Sequence, residues 1–311
     1  MITATIPMPY SFRVHIHLGA HKTASTFIQN WLSKHMEFLA QNQIAYIPLA
    51  RLRQKFMPAF WRAVENSTQI SDKQGQLLEC LYTETRDLGF DLANTKLLLL
   101  SEENLLGGLN TLVTQGLLYP RLEQRMNVLA QLFNDFPLHT FLAIRNYADF
   151  YPSAYAETIR HQYLKSYDEF LTHLAWQNNS WLQVIATIQA SLAPLTLWAY
   201  EDFREHTAAI LSALLDLEIP SAMIDATTTD RPSLSQKGLD LAMHSRHLLT
   251  PLEMKRLVNL LADKMIFEPP DNKIVLPDPA RIALLNTQYQ TELMTLAPLR
   301  LKFDQHPCNQ L

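Results

Sequence analysis

Apolar positions along the chain alternate between two rhythms. Short unbroken apolar runs are followed by longer stretches in which apolar residues recur every three or four positions. Residues 13–18, Arg-Val-His-Ile-His-Leu, predict a buried strand ending at Gly19; Phe27, Ile28, Trp31, Leu32, Phe38 and Leu39 then fall at helical spacing. A short strand is expected over residues 44–48, and residues 51–90 read as mostly helical and amphipathic. Residues 96–100 form an apolar run of the kind found in central parallel strands. A helix over 119–136, a strand over 139–144 and a helix through Tyr147, Phe150, Tyr151, Ala154, Tyr155 and Thr158 follow. Asp149 is expected to cap that helix, which puts Pro152 in its first turn, where a missing N–H does no harm. Beyond it the pattern predicts a helix over 181–192, a strand over 195–200 and a helix over 202–217 that starts near Asp202. Helices are expected over 233–249, 251–265 and 279–296.

Strands alternating with helices imply an α/β fold, a central parallel β-sheet flanked by helices. The pattern suits a single domain over residues 1–311, with a helical insertion over 49–95 and a helical C-terminal extension over 221–311. Ligands in such sheets bind beyond the carboxyl ends of the strands. Four polar groups fall there: residues 19–26, residues 101–103, Arg145 and residues 200–202.

Composition narrows the field. Hydrophobic residues make up 48% and charged residues 18%, enough to build a large core. The formal net charge of −4 argues against a protein that coats nucleic acid. Cys80 and Cys308 have neither a metal-site nor a disulfide-framework spacing, and residues 1–11 lack the signature of a signal peptide; a cytoplasmic protein is expected. The apolar run at 97–100 is far short of a membrane span, so no transmembrane segment is expected.

The loop after the first strand reads Gly19-Ala20-His21-Lys22-Thr23-Ala24-Ser25-Thr26. At the start of a helix it offers unpaired N–H groups and the positive end of the helix dipole; Lys22 adds charge and Thr23, Ser25 and Thr26 add hydroxyls. The alternative is an ordinary turn whose Ser and Thr cap the helix. The order is not that of an ATP-binding P-loop, which needs Gly-Lys directly before the last hydroxyl residue.

Lys22-Thr23-Ala24-Ser25-Thr26-Phe27 resembles the first loop of the sulfotransferases that use 3′-phosphoadenosine 5′-phosphosulfate. Arg145 at the end of a strand with Ser153 eight residues later resembles their 3′-phosphate site, and residues 198–203, Trp-Ala-Tyr-Glu-Asp-Phe, are also similar. The resemblance implies a P-loop-like sulfotransferase fold and sulfuryl transfer from that donor to a hydroxyl or amine of an unidentified small molecule or glycan, without a metal. It implies donor binding by Lys22, Thr23, Ala24, Ser25, Thr26, Arg145 and Ser153, with Lys22 also catalytic. The family has glycine where Ala24 stands; a positive φ there strains alanine.

A base must take the acceptor's proton. Glu102 and Glu103 follow the 96–100 strand and are expected to face the cleft, with Glu102 favoured because a carboxylate beside Lys22 stays ionised. His21 is a further candidate. His15, His17 and His21 invite a metal reading, but histidines bonded within the core suit a buried strand better. Arg145 has the alternative of pairing with Glu157, and Arg231-Pro-Ser233 the alternatives of a phosphate contact or an exposed helix start. The competing functions are a P-loop-type nucleotide-dependent kinase and a non-catalytic nucleotide-binding module.

Overall fold

A computed structural model describes residues 11–65, 70–160, 165–224, 234–264 and 273–303. Arg231–Ser233 and Cys308, named above, lie outside them. β1 (Arg13–Gly19) leads through the loop into α1 (Ser25–Lys34) and α2 (Met36–Gln41). The predicted single helix breaks at His35, with φ −110°, whose ring stacks on Trp31 and whose Nδ1 lies 2.7 Å from the Trp31 carbonyl. β2 (Ile44–Tyr46) follows. The helical run predicted next consists of α3 (Leu49–Arg51), a π-helical turn (Leu52–Phe56), α4 (Met57–Glu65) and α5 (Ile70–Asp87).

β3 (Leu97–Ser101) ends in a 3-10 turn (Glu103–Leu105), and α6 (Asn110–Gln115) and α7 (Leu122–Leu132) lead to β4 (Leu138–Ile144). α8 (Tyr147–Arg160) starts earlier than a cap at Asp149 requires: Asn146 Oδ1 accepts from the Ala148 N–H at 2.9 Å. Pro152 therefore lies in the helix interior, where it leaves the Ala148 carbonyl without its helical donor. α9 (Tyr167–His173), α10 (Trp181–Ser191) and β5 (Leu195–Ala199) complete the sheet region. Asp202 does not start the next helix. Its carboxylate binds Arg300 at 2.8 Å, and α11 (Thr207–Leu215) begins later. α12 (Gln236–Ser245), α13 (Pro251–Lys264) and α14 (Pro279–Thr295) form the C-terminal part.

The five strands are all parallel in the order β2-β3-β1-β4-β5. Both faces are covered, which explains the unbroken apolar runs. Val14, Ile16, Leu18, Leu98, Leu100, Leu142 and Ile144 pack into one core, whereas Leu97, Leu99, Phe141, Ala143 and Trp198 pack into the other with Ile28 and Leu32 of α1 and Ile210 and Leu211 of α11. The chain moves to one side of β1 to make β2 and β3, then crosses to the other side for β4. That reversal places the carboxyl ends of β1 and β4 at the switch point where open α/β sheets bind ligands. Among the described residues no helix is long and apolar enough to cross a membrane.

Candidate functional site

The loop leaves β1 through a local irregularity. The β1–β4 register shifts between His17 and Gly19, and Gly19 has φ 64°. A Cβ at Gly19 would collide with the Ser25 hydroxyl, so this turn needs glycine. Lys22 and Ala24 also have positive φ, 64° and 65°, and Ala24 stands at the N-cap of α1 without a capping side chain. Thr23 and Ser25 turn inward: both hydroxyls donate to the Ala20 carbonyl, at 2.6 and 3.4 Å. Thr26 is exposed. These bonds tie the loop back on its own start. Among the described residues, no protein acceptor meets the N–H groups of Lys22, Thr23, Ala24, Ser25 or Thr26. Unpaired N–H groups at the start of a helix are able to receive an anion.

Arg145 reaches this loop from the end of β4. Its Nη1 donates to the Lys22 carbonyl at 2.9 Å, its Cζ lies 4.5 Å from the centre of the Tyr200 ring, and its carbonyl accepts from Trp181 Nε1 at 2.8 Å. Its buried Nε meets no protein acceptor. An arginine held on one side with donors left over suits a phosphate. Ser153 is half-buried on α8, one turn before Glu157 on the same face. Arg145 does not pair with Glu157. Lys22 does, with Nζ–Oε2 at 3.1 Å and both side chains about one-fifth exposed, at 22% and 21%.

Glu102 and Glu103 lie elsewhere than expected. Neither pairs with Lys22. Glu102 is fully buried, and its carboxylate accepts from Arg53 Nε at 2.6 Å, Arg53 Nη2 at 2.9 Å, the Asn104 N–H at 2.9 Å and Asn104 Nδ2 at 2.8 Å. It caps the 3-10 turn and balances Arg53. Glu103 accepts from Arg53 at 2.8 Å and from Gln29 at 3.0 Å. Burial pushes its acidity down, but His21 and Arg53 outweigh burial and hold the carboxyl below its ordinary pKa. Burial also opposes the charge of Arg53, yet the two carboxylates raise its pKa further.

His21 is locked into the same network. Asn104 donates to Glu102 through Nδ2, so its Oδ1 accepts from His21 Nε2 at 3.3 Å; His21 Nδ1 then accepts from the Tyr119 hydroxyl at 2.9 Å. Burial lowers the His21 pKa, against the pull of Glu103. Among the described residues no three potential metal ligands come together. His15 binds the Leu214 carbonyl and His17 the Ser101 hydroxyl, each through Nδ1 at 2.8 Å.

Sequence reasoning missed Asn104 and Tyr119, which bind His21 of the loop, and Arg53 and Gln29, which bind the carboxylates that follow β3. It named Glu157 only as a surface partner of Arg145. The i, i+4 relation to Ser153 is the signal that places Glu157 beside the loop.

No protein-family model matches the chain, and no curated protein matches it. Among solved structures it is similar to a sulfotransferase domain from the curacin biosynthetic pathway: 15% identity, over 92% of this chain and 98% of that chain, with a TM-score of 0.41. At that identity and overlap no residue's role passes from one chain to the other.

Proposed function

We propose that this chain is a sulfotransferase that moves a sulfuryl group from 3′-phosphoadenosine 5′-phosphosulfate to a hydroxyl or amine acceptor. One observation carries the reading. Five loop N–H groups without protein acceptors lie beside Lys22, and Arg145, with a buried donor to spare, binds the same loop. The order of residues 22–27 and the Arg145/Ser153 spacing support a donor with two separated anionic groups over one with a single phosphate chain.

In this reading the N–H groups of residues 22–26 bind the 5′-phosphosulfate, and Lys22 offsets the charge that develops on the leaving phosphate. Arg145 and Ser153 take the 3′-phosphate. The network of Arg53, Glu102, Asn104, His21 and Tyr119 fixes the loop so that its donors are aligned before the donor substrate arrives. The site is local, in keeping with a chain of net charge −4.

The test is calorimetry with 3′,5′-bisphosphoadenosine against ATP. The bisphosphate is expected to bind at least tenfold more tightly, and Lys22→Ala and Arg145→Ala are each expected to weaken it by at least about tenfold, the scale of one charged hydrogen bond. Tighter binding of ATP, or unchanged binding in both variants, refutes the reading.

A further inference from the structure

We infer that the acceptor carries an oxyanion, such as a carboxylate, besides the hydroxyl or amine that receives the sulfuryl group, and that Arg125 binds that oxyanion. The inference rests on the sulfotransferase reading above.

The cations around the loop differ in what meets them. Arg53 pairs with Glu102 and Glu103, and Lys22 with Glu157. Arg125, in the first turn of α7, is half-buried and has no carboxylate within ion-pair distance among the described residues. Its one hydrogen bond runs from Nη1 to the Asn104 carbonyl at 3.2 Å. That leaves most of the donors of its guanidinium unused. Burial, and then Arg121 one helical turn earlier, push the Arg125 pKa below its ordinary value, against the pull of Glu65. Like charges at that spacing repel, and a partly desolvated charge is costly until an opposite charge meets it. Arg145 is also without a carboxylate among the described residues, and the reading above gives it a phosphate.

Arg125 borders the loop by two routes. Asn104, whose carbonyl it holds, binds His21 Nε2 through Oδ1. Gly107 leaves the space between Arg125 and Tyr119 open. A Cβ there would stand 3.3 Å from Tyr119 Cδ1 and 3.7 Å from Arg125 Nε, and the Tyr119 hydroxyl binds His21 Nδ1. Both routes end at His21, the neighbour of Lys22.

Sheet order gives the side. β3, whose carboxyl end leads to Asn104, and β4, whose carboxyl end leads to Arg145, flank β1 on opposite sides. Arg125 and Arg145 therefore approach the loop from opposite directions. The donor has two anionic groups, and the loop and Arg145 take them. An anion at Arg125 is a third, across the loop from the 3′-phosphate, and it belongs to the acceptor. The planar fork of an arginine meets both oxygens of a carboxylate, and a site built for such a group rejects a neutral analogue that leaves the fork unmet.

Two probes of nearly equal shape isolate the charge: para-hydroxybenzoate and para-hydroxybenzamide. Each is titrated by calorimetry into protein saturated with 3′,5′-bisphosphoadenosine, so that the loop and Arg145 are already filled. The wild type is expected to bind the carboxylate at least about tenfold more tightly than the amide, the scale of one charged hydrogen bond. Arg125→Met is expected to erase that preference and Arg125→Lys to keep part of it. Both variants are expected to bind the bisphosphate within about threefold of the wild type. The preference for one probe over the other is a difference of differences, which a general loosening of the site does not abolish selectively. A wild type that binds the bisphosphate but binds the two probes equally, or binds neither, overturns this inference alone. A preference that survives in Arg125→Met overturns it too. So does a loss of bisphosphate affinity in both variants, which assigns Arg125 to the donor. A wild type that does not bind the bisphosphate overturns the sulfotransferase reading itself, and this inference with it.

Discussion

Ala24 has a left-handed backbone, φ 65° and ψ 19°, where the loop becomes α1. A Cβ in that region costs about 1–2 kcal/mol, and strain of this kind gathers where a site must be held in shape. Glycine removes the clash but gains more freedom in the unfolded chain, worth about 0.4–1 kcal/mol. Ala24→Gly is therefore expected to stabilise the protein by about 0.5–1 kcal/mol in urea unfolding; a loss of stability refutes the strain. His17 gives a second prediction at this scale. It is 1% exposed, stacks on Trp198, and leaves Nε2 without a protein partner. Burial, opposed by the charge of Glu103, lowers its pKa to about 4. The unfolded value is about 6.5, so folding favours the neutral ring. That contribution is complete above pH 6.5 and disappears as the pH falls toward 4. Between pH 7.5 and pH 5 the loss is expected to be about 2 kcal/mol. In His17→Gln, urea unfolding at the two pH values is expected to show a drop smaller by about that amount; an equal drop assigns the acid sensitivity elsewhere.

Among the elements, the π-helical turn at Leu52–Phe56 is the one that reaches the site, because it carries Arg53 to Glu102 and Glu103. Removing one partner of a fully buried pair costs about 3–5 kcal/mol. The Arg53 side chain is 41% exposed, so solvent reduces that figure. Arg53→Met is expected to cost about 2 kcal/mol, and Glu102→Gln in the same background to recover part of it; a Met variant as stable as wild type shows that the pair only decorates the turn. This network also marks where the sequence stops being informative. The strands were legible because each is buried on both faces and reads as an apolar run, as at Leu97–Leu100. The positions of the loop and Arg145 at the carboxyl edge of the sheet could be read because each follows a strand run. Glu102 was misread because its position after β3 says where the residue lies but not which cation turns toward it. That cation comes from residue 53, about fifty positions earlier, within a helical stretch whose pattern reports only its apolar face. The placement of Pro152 failed for a local reason: Asn146 competes with Asp149 for the cap, and both residue types suit it.

At the scale of the whole molecule, the residue that carries Arg145 is braced by a cluster on α14 whose own residues are no part of the proposed donor site. Glu292 of α14 is buried and accepts from the Tyr147 hydroxyl at 2.5 Å, the Ser180 hydroxyl at 2.8 Å and the Trp181 N–H at 3.2 Å. The Trp181 indole in turn holds the Arg145 carbonyl, while Tyr289 and Asn286 of the same helix bind Glu201 and Asn146 at the ends of β5 and β4. α14 thus clamps the carboxyl edge of the sheet at the point where Arg145 leaves it. Glu292→Gln places an amide donor among donors and leaves one of them unmet, at a cost of about 2 kcal/mol. In a chain of this size that corresponds to a fall in Tm of about 4 °C. If the clamp sets the direction of Arg145, the variant also binds 3′,5′-bisphosphoadenosine several-fold more weakly, although residue 292 is part of neither the loop nor the Arg145/Ser153 pair. By linkage, saturating bisphosphate then restores less Tm to the variant than it adds to the wild type, where about 100 times Kd contributes about 2.7 kcal/mol. A lower Tm with unchanged affinity confines α14 to stability. A fall in both shows that the C-terminal helix shapes the site through the end of β4.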